Sequence, residues 1–499
     1  MKPILLFLRR KERKTMSKKK NGTVKWSIFT AIFAILTVAS IIGTNVALGA
    51  SQAINIFLKT ETYKIVDNGS GDEDTEYFKS EYSSEEELKE AGADVAERLH
   101  EEGSVLLKNN GLLPLIAGAK ISTLAHSSVD FVTCGTGAAD IDTSEAPSLK
   151  ETLESRGFSV NPTLWDFYET GAGSTYIRTP GKLANQTSGG ARNTYTINEV
   201  PLDVYTSEVN ASLNEYNDVA IVTLSRVAGE GADLAMDGFT DGTNILELTE
   251  GEQALLKMAN ETFENIVVLI NSTNALECDF IDDPAYGIDA VLWVGYTGEW
   301  GLNGVADILA GNVNPSGRLV DTYCYDNTTN PAMVGIYADA YTNYDPEDAD
   351  HWFTVMNGML DGNGFYIAYQ EGIYVGYRYY ETRYEDVVMG TANVGDYNYA
   401  ETVAYPFGYG LSYTSFEYSD FATEYDKATD SFNVTVKVTN TGSVEGKEVV
   451  QVYFQSPYTD YDKQNGIEKA SIELCGFDKT DILAPGASET VTINVPREE

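Results

Sequence analysis

The sequence predicts an α/β domain with a mainly parallel sheet, followed by an incomplete all-β immunoglobulin-like sandwich and preceded by one transmembrane helix. Three observations predict this order. Short apolar runs alternate with segments of helical periodicity in the middle of the chain, a period-two pattern replaces them after residue 415, and one long uncharged apolar run lies near the N-terminus. Apolar strands with helical crossovers are typical of parallel sheets covered on both faces, whereas strict alternation indicates half-buried strands.

Composition limits the classes of protein to consider. A chain of 499 residues with 43% hydrophobic content can bury a large core, and its length predicts two or three domains. The net charge is −41, although the first 25 residues carry ten basic side chains and one acidic one, so the remainder is still more acidic. An acidic surface repels phosphate backbones, which argues against nucleic acid as a partner. We predict no metal and no cofactor, because the three histidines and four cysteines have no zinc or disulfide spacing.

The N-terminal region predicts membrane insertion. No charged residue occurs between Lys25 and Lys59, and about 20 apolar residues suffice to cross the hydrocarbon core. We therefore predict a basic cytoplasmic segment over 1–25 and a transmembrane anchor over 26–50, with the bulk of the chain outside. A cleaved secretory signal is the alternative, because the small residues Ala47, Gly49 and Ala50 lie near a possible cleavage point.

The α/β domain is predicted over 81–415, after a stalk at 51–80. Its first helix begins with a capping box formed by Ser84 and Glu87. Its last part is predicted as an irregular, aromatic-rich extension. Between these ends the predicted elements are strands at 121–125, 219–224, 266–270 and 290–294, and helices at 148–156, after a Thr249–Glu252 cap, and at 302–309.

The tail, 416–499, is predicted to be all β. Alternating apolar and polar residues fill 432–438, 448–454 and 490–495, with a turn after the first of these runs. We expect these strands to belong to a truncated sandwich, because a complete one needs about seven.

One loop is the best candidate for chemistry. The apolar run 219–224 ends at Ser225-Arg226, and Gly229 and Gly231 then flank a single carboxylate, Glu230. Ligands meet open α/β sheets at the carboxyl ends of the strands, and glycine lets the backbone come close to a ligand. Taken alone, Gly-Glu-Gly also fits an ordinary exposed turn.

Several separate motifs carry a resemblance to a known family. Gly103-Ser-Val-Leu-Leu-Lys-Asn, Asn314-Pro-Ser-Gly-Arg-Leu, Glu371-Gly-Ile-Tyr-Val-Gly-Tyr-Arg-Tyr-Tyr and Tyr405-Pro-Phe-Gly-Tyr-Gly-Leu-Ser-Tyr occur in this order. From about residue 84 onward the chain resembles glycoside hydrolase family 3, the β-glucosidase family, and its tail is similar to that family's fibronectin type III-like domain.

The resemblance implies a function and site residues. Members hydrolyse glycosides with retention, using an aspartate nucleophile on a TIM barrel and often a glutamate acid/base on a loop of the α/β domain. Glu230 lies where that loop resembles "SR..GEG.D". By the same resemblance Arg226, Asp233 and Thr136 are the expected substrate contacts, although Arg226 and Asp233 could equally hold the loop's shape. Around Thr136, Cys134 and Ala138 depart from the family's "GGTGSG".

The resemblance also implies a missing part. The chain has no room for a barrel of some 250 residues, and the second carboxylate is not found. We therefore expect the front part of a longer exo-β-glycosidase with permuted domain order, with the barrel downstream or on a partner chain. The alternative is a non-catalytic cell-surface module that binds glycan.

Overall fold

The computed structural model describes residues 24–44, 81–135, 141–178, 197–227, 244–334, 369–390 and 395–497, and the chain divides into two compact units, Met1–Glu81 and Tyr82–Glu499. The described part of the first unit contains helix α1, Val24–Thr44, which is mainly apolar and carries one charged residue, Lys25. Its Thr30 and Thr37 hydroxyls donate to the carbonyls of Trp26 and Phe33, four residues earlier, at 2.9 and 2.8 Å. Both a membrane anchor and an N-terminal signal sequence fit a 21-residue helix of this composition.

The second unit is built on a six-stranded sheet. The strand order is β1-β6-β5-β4-β2-β3, with every pair parallel except β1 against β6. The predicted mainly parallel α/β sheet is therefore confirmed, with an antiparallel edge strand that the sequence did not reveal. The strands are β1 Val105–Asn109, β2 Lys120–Leu124, β3 Ser159–Val160, β4 Val219–Ser225, β5 Ile266–Asn271 and β6 Ala290–Trp293.

Helices cover both faces of this sheet. In β4, Val222 packs into one core cluster while Ile221 packs into the other, and Val268 and Val267 of β5 divide in the same way. Because both faces are buried, these strands read as continuous apolar runs rather than alternating ones. The helices around the sheet are α2 Glu85–Gly103, α3 Leu149–Ser155, α4 Pro162–Glu169, α5 Ser207–Glu215, α6 Glu250–Thr262 and α7 Leu302–Ala310.

Side-chain caps set the starts of the helices. Thr249 and Glu252 form the predicted capping box of α6. At α2 the prediction was only half right: the Glu87 amide donates to Ser84 Oγ at 3.1 Å, but the Glu87 carboxylate accepts from the Ser83 amide at 2.8 Å. The reciprocal bond is therefore displaced by one residue, and Ser84 remains the N-cap.

The segment between the sheet and the tail was predicted to be irregular, and within its described residues that prediction is wrong at several regular elements. It contains α8 Pro331–Val334, α9 Tyr377–Met389 and α10 Tyr399–Thr402, together with the short strands β7 Tyr323–Cys324 and β8 Val403–Tyr405. Helix α9 ends at Gly390, whose φ of 65° gives the left-handed conformation that closes many helices.

The tail consists of two antiparallel sheets, as predicted. One has the order β13-β10-β9 and the other pairs β11 with β12. Val434, Val436 and Val438 of β10 point into the core between the sheets, which accounts for the period of two. The bounds are β9 Phe416–Asp426, β10 Ser431–Asn440, β11 Val449–Gln455, helix α11 Asp460–Asn465, β12 Ile472–Lys479 and β13 Ser488–Pro496.

Candidate active site

The carboxyl ends of the parallel strands β2, β4, β5 and β6 form an edge that carries buried polar groups. His126, Ser225, Arg226, Asn271 and Ser272 are each 6% exposed or less. Buried polar groups cost free energy unless they are hydrogen-bonded. The connections that each of them makes therefore show how this edge is organised.

Arg226 follows β4 directly, and its guanidinium is completely enclosed. Nη1 donates to the Ser225 carbonyl at 2.9 Å and to Glu252 Oε1 at 2.8 Å, while Nη2 donates to the Glu247 carbonyl at 2.6 Å and to Glu252 Oε2 at 3.0 Å. Nε donates to the Ile245 carbonyl. All five N–H groups are thus in use, which leaves none for a sugar hydroxyl and favours the loop-holding alternative for Arg226.

Asn271, the last residue of β5, connects three segments. Its Oδ1 accepts from the Val132 amide at 2.7 Å and from Ser225 Oγ at 2.8 Å. Its Nδ2 donates to the carbonyls of Val132 and Gly295 at 2.8 and 2.7 Å. One buried amide thereby fixes the ends of β4 and β6 and the segment that leads toward Thr136.

Beside β2 lies a cluster of titratable groups. Glu199 Oε2 accepts from the His126 amide at 3.2 Å and Oε1 from the Val200 amide at 2.9 Å. Burial raises the pKa of Glu199 to about 8, with the nearby Glu252 carboxylate acting in the same direction. Burial also lowers the pKa of His126, against the pull of Asp130. At neutral pH both side chains are therefore mainly uncharged.

Arg178, whose charge also lowers the pKa of His126, is itself paired. Arg178 Nη2 lies 3.0 Å from Asp130 Oδ1, and the Arg178 side chain is 17% exposed. The carboxyl edge thus combines neutral buried groups with internally satisfied ion pairs, the kind of rigid support that precise chemistry on adjacent loops requires.

Of the predicted site residues, the structure describes only Arg226. Glu230, Asp233 and Thr136 lie outside the described residues, and their predicted roles remain predictions. Sequence reasoning missed Asn271 and Glu199. A signal existed for Asn271, because a polar residue directly after a buried parallel strand lies at the ligand-binding edge.

A second acidic group lies away from this edge. Carboxylate oxygens of Glu97, Glu101 and Asp307 come within 4.8 Å of one another. Arg156 Nη2 lies 2.6 Å from Asp307 Oδ2 and 3.3 Å from Glu97 Oε1. The guanidinium supplies the positive charge that a metal would otherwise bring, so we regard the cluster as an ion-pair network between α2, α7 and the end of α3.

The fold defines a class of protein: an α/β domain with a mainly parallel sheet and buried polar groups at the carboxyl ends of its strands, joined to a β-sandwich. Residues 104–377 match the family model of the glycosyl hydrolase family 3 C-terminal domain, and residues 448–499 match the model of the fibronectin type III-like domain. The chain belongs to glycoside hydrolase family 3. The resemblance that its motifs predicted is therefore confirmed.

Individual relatives agree with this assignment. A β-glucosidase of Ruminococcus albus is 33% identical over 401 residues, a match covering 80% of this chain and 35% of that protein. β-Glucosidase A of Butyrivibrio fibrisolvens is 30% identical over 437 residues, covering 80% of this chain and 45% of that protein. The chain thus spans less than half the length of these relatives.

Solved structures show the same relation. A β-glucosidase from Paenibacillus barengoltzii superposes with a TM-score of 0.63 at 31% identity, covering 82% of this chain and 38% of that one. β-Glucosidase 3B from Thermotoga neapolitana, in complex with glucose, superposes with a TM-score of 0.59 at 30% identity, covering 82% and 49%.

Proposed function

We propose that this chain supplies the acid/base half of a retaining exo-β-glycosidase that cleaves O-glycosyl bonds of β-glucosides, with Glu230 as the general acid/base. Family membership and the β-glucosidase relatives support the reaction class. One structural observation supports the site: β4 ends at Ser225 on the carboxyl edge of the sheet, and the side chain of Arg226, the next residue, donates to the carbonyls of Ile245 and Glu247. Glu230 belongs to the stretch of sequence between these anchored ends.

The mechanism needs two carboxyl groups about 5 to 5.5 Å apart. Glu230 gives its proton to the glycosidic oxygen as that bond breaks, while an aspartate on a TIM-barrel domain attacks the anomeric carbon. Glu230 then takes a proton from the water that releases the sugar. The barrel lies downstream in the same polypeptide or on a partner chain, and Asp233 and Thr136 contact the sugar.

The test of this function is Glu230→Gln in the protein together with its barrel. Turnover of aryl β-glucosides falls by about 10² to 10⁴, the usual worth of a positioned acid/base. Glu261→Gln, an exposed glutamate on α6, is the matched control and leaves turnover unchanged. Normal turnover by the Glu230 variant contradicts the proposal. Glycan binding without hydrolysis, unchanged in that variant, would favour the glycan-binding module instead.

Helix α1 is a single-pass anchor in this proposal, and the second unit lies outside the cell. The 21-residue apolar helix and its basic N-terminal flank support this orientation. Resistance of the membrane-bound protein to alkaline extraction, with protease access from outside intact cells, tests it. Release of a protein that begins near residue 50 would show instead that the segment is a cleaved signal.

A further inference from the structure

Arg226 and Glu252 form a buried ion pair whose hydrogen-bonding geometry indicates a role beyond stability. Their side chains are 0% and 2% exposed, and two parallel N–H···O bonds join them. We propose that this pair positions the catalytic acid/base by fixing both ends of the sequence stretch that carries it. The proposal rests on the proposed function of Glu230.

The guanidinium connects backbone from both sides of residues 228–243. On one side it is part of the chain leaving β4 and donates to the Ser225 carbonyl; on the other it donates to the carbonyls of Ile245 and Glu247, 19 and 21 positions later. One side chain thus fixes the backbone next to Val227 and Asn244, the described residues on either side of 228–243. Only a planar fork with five donors can make these contacts together, and lysine cannot.

Glu252 holds the fork in place. It is the third residue of α6, where Oε2 also accepts from the Thr249 amide at 2.9 Å and from Thr249 Oγ1 at 3.1 Å. The same helix places Leu255 and Leu256 in the core with no exposure. The carboxylate is therefore fixed by a rigid element, as a support for a catalytic group needs to be.

The main chain of Arg226 is held as firmly as its side chain. Its amide donates to the Asn271 carbonyl at 3.2 Å, and its carbonyl accepts from the Tyr296 hydroxyl at 3.2 Å. Strand β5 and the residues after β6 thereby fix the point at which the chain turns away from β4. Every hydrogen-bonding group of Arg226 thus helps to fix the backbone just before residues 228–243.

Stability alone does not call for such a pair. Removing two charges from water costs several kcal/mol per ion, and apolar residues of similar volume are often as stable or more so. What an apolar pair lacks is the directional bonding to three carbonyls. A misplacement of about 1 Å can cost about a hundredfold in rate, so that bonding has a functional use.

The test is the leaving-group dependence of hydrolysis by Arg226→Lys in the protein together with its barrel. Poor leaving groups need the acid, whereas 2,4-dinitrophenolate departs with little protonation. Because the second step, in which Glu230 activates water, is common to both substrates, the comparison uses kcat/KM, which reports the first step alone. We expect kcat/KM to fall about 10- to 100-fold on cellobiose and less than about threefold on 2,4-dinitrophenyl β-glucoside, a share of what a positioned acid contributes. Arg156→Lys, in the ion-pair network outside this edge, is the matched control and changes neither rate.

Two further measurements keep the test decisive if Arg226→Lys folds poorly. The double variant Arg226→Met with Glu252→Met leaves no unpaired buried charge, and we expect the same selective loss from it. In this chain alone, amide hydrogen exchange over 244–252 rises in both Arg226 variants and not in Arg156→Lys.

Equal losses of kcat/KM on both substrates, or no loss of kcat/KM on cellobiose, overturn the positioning role. A selective loss of kcat/KM in Arg156→Lys overturns it as well. Glu230→Gln measured alongside separates this failure from failure of the proposed function. If the Glu230 variant loses cellobiose hydrolysis selectively and Arg226→Lys does not, only the positioning role is wrong. If the Glu230 variant hydrolyses both substrates normally, the assignment of the acid/base itself is wrong.

Discussion

At the scale of single residues, Asn271 shows how much depends on one amide. Its four hydrogen bonds use both lone pairs of Oδ1 and both hydrogens of Nδ2, without any exposure to solvent. A side chain that cannot bond leaves the amide and carbonyl of Val132 and the carbonyl of Gly295 buried without their partners.

Asn271→Leu should therefore be among the most damaging substitutions at this edge. Each buried group left without a partner costs about 1 to 3 kcal/mol, so we expect the free energy of unfolding to fall by about 3 kcal/mol or more. Urea denaturation measures it. Asn265→Leu is the control, since its half-buried side chain makes one 2.9 Å bond to the Asp218 carbonyl, and a comparable loss there would contradict the argument.

Glu199 makes the stability of the second unit depend on pH. Its pKa is about 8 in the folded protein because of burial, against an ordinary value of 4.5. Between these values the unfolded chain has released the proton and the folded one keeps it. The contribution of Glu199 to the free energy of unfolding is therefore fully present below about pH 4.5. It is lost as the pH rises toward 8, by at most about 1.4 kcal/mol per pH unit.

Glu199→Gln should remove this slope, because the amide keeps an acceptor and cannot ionise. We expect the variant to match the unsubstituted protein near pH 5 and to exceed it in free energy of unfolding near pH 9. Denaturation of both proteins across this range isolates the contribution of Glu199. Parallel pH profiles would show that the carboxyl group is ionised in the folded protein.

At the scale of elements, two capping boxes differ only in what they connect to. Ser148 with Glu151 begins α3 and Thr249 with Glu252 begins α6, each with the full reciprocal pair of bonds. Glu151 is on the surface, whereas Glu252 is buried against Arg226.

Replacing the cap residue by alanine should separate local from wider effects. Ser148→Ala should cost about 1 kcal/mol of unfolding free energy, the typical worth of an N-cap. Thr249→Ala should cost about 2 kcal/mol or more, because a buried carboxylate oxygen also loses a donor. Thermal or urea unfolding compares the two, and equal losses would mean that the cap of α6 acts locally, without support for Glu252.

The same elements show what sequence can and cannot predict. Strands β4 and β5 were predicted because they are buried at every position, and burial on both faces makes them almost continuously apolar. Helix α9 was missed because tyrosine-rich sequence has only moderate helix propensity and its formation depends on tertiary contacts, such as Tyr377 stacked on Phe407 at 4.5 Å. The place of Arg226 at the edge was predictable from β4, but its pairing with Glu252 depends on the packing of α6 against the sheet.

At the scale of the whole second unit, family motifs meet where the sheet domain joins the tail. Asn314 Oδ1 accepts from Ser412 Oγ at 2.8 Å and from the Tyr413 amide at 2.7 Å, while its Nδ2 donates to the Glu445 carbonyl at 2.9 Å. The Leu411 amide bonds the Leu106 carbonyl at 2.8 Å, on the side of β1 away from β6. These segments therefore connect the domains and protect the edge of the sheet.

One ion pair in this junction is nearly buried. Arg318 Nη2 lies 2.7 Å from Glu448 Oε2, with side-chain exposures of 13% and 12%, and Arg318 Nη1 donates to the Gly410 carbonyl at 2.9 Å. Arg318→Met leaves the Glu448 carboxylate with the Tyr418 hydroxyl at 2.7 Å, and no second ion pair to Glu448 is found among the described residues. Because an unpaired, partly buried charge destabilises the junction rather than either core, the tail should unfold before the sheet domain.

Calorimetry tests this directly, with one transition expected for the second unit of the unsubstituted protein and two for Arg318→Met. Arg497→Met is the matched control. Arg497 Nη1 lies 3.4 Å from Asp430 Oδ1, with side-chain exposures of 64% and 52%, and such exposed pairs contribute about 0 to 1 kcal/mol to stability. If both variants unfold in one transition at the same temperature, the two domains are coupled by the apolar contacts and backbone bonds of the junction instead of by this charge pair.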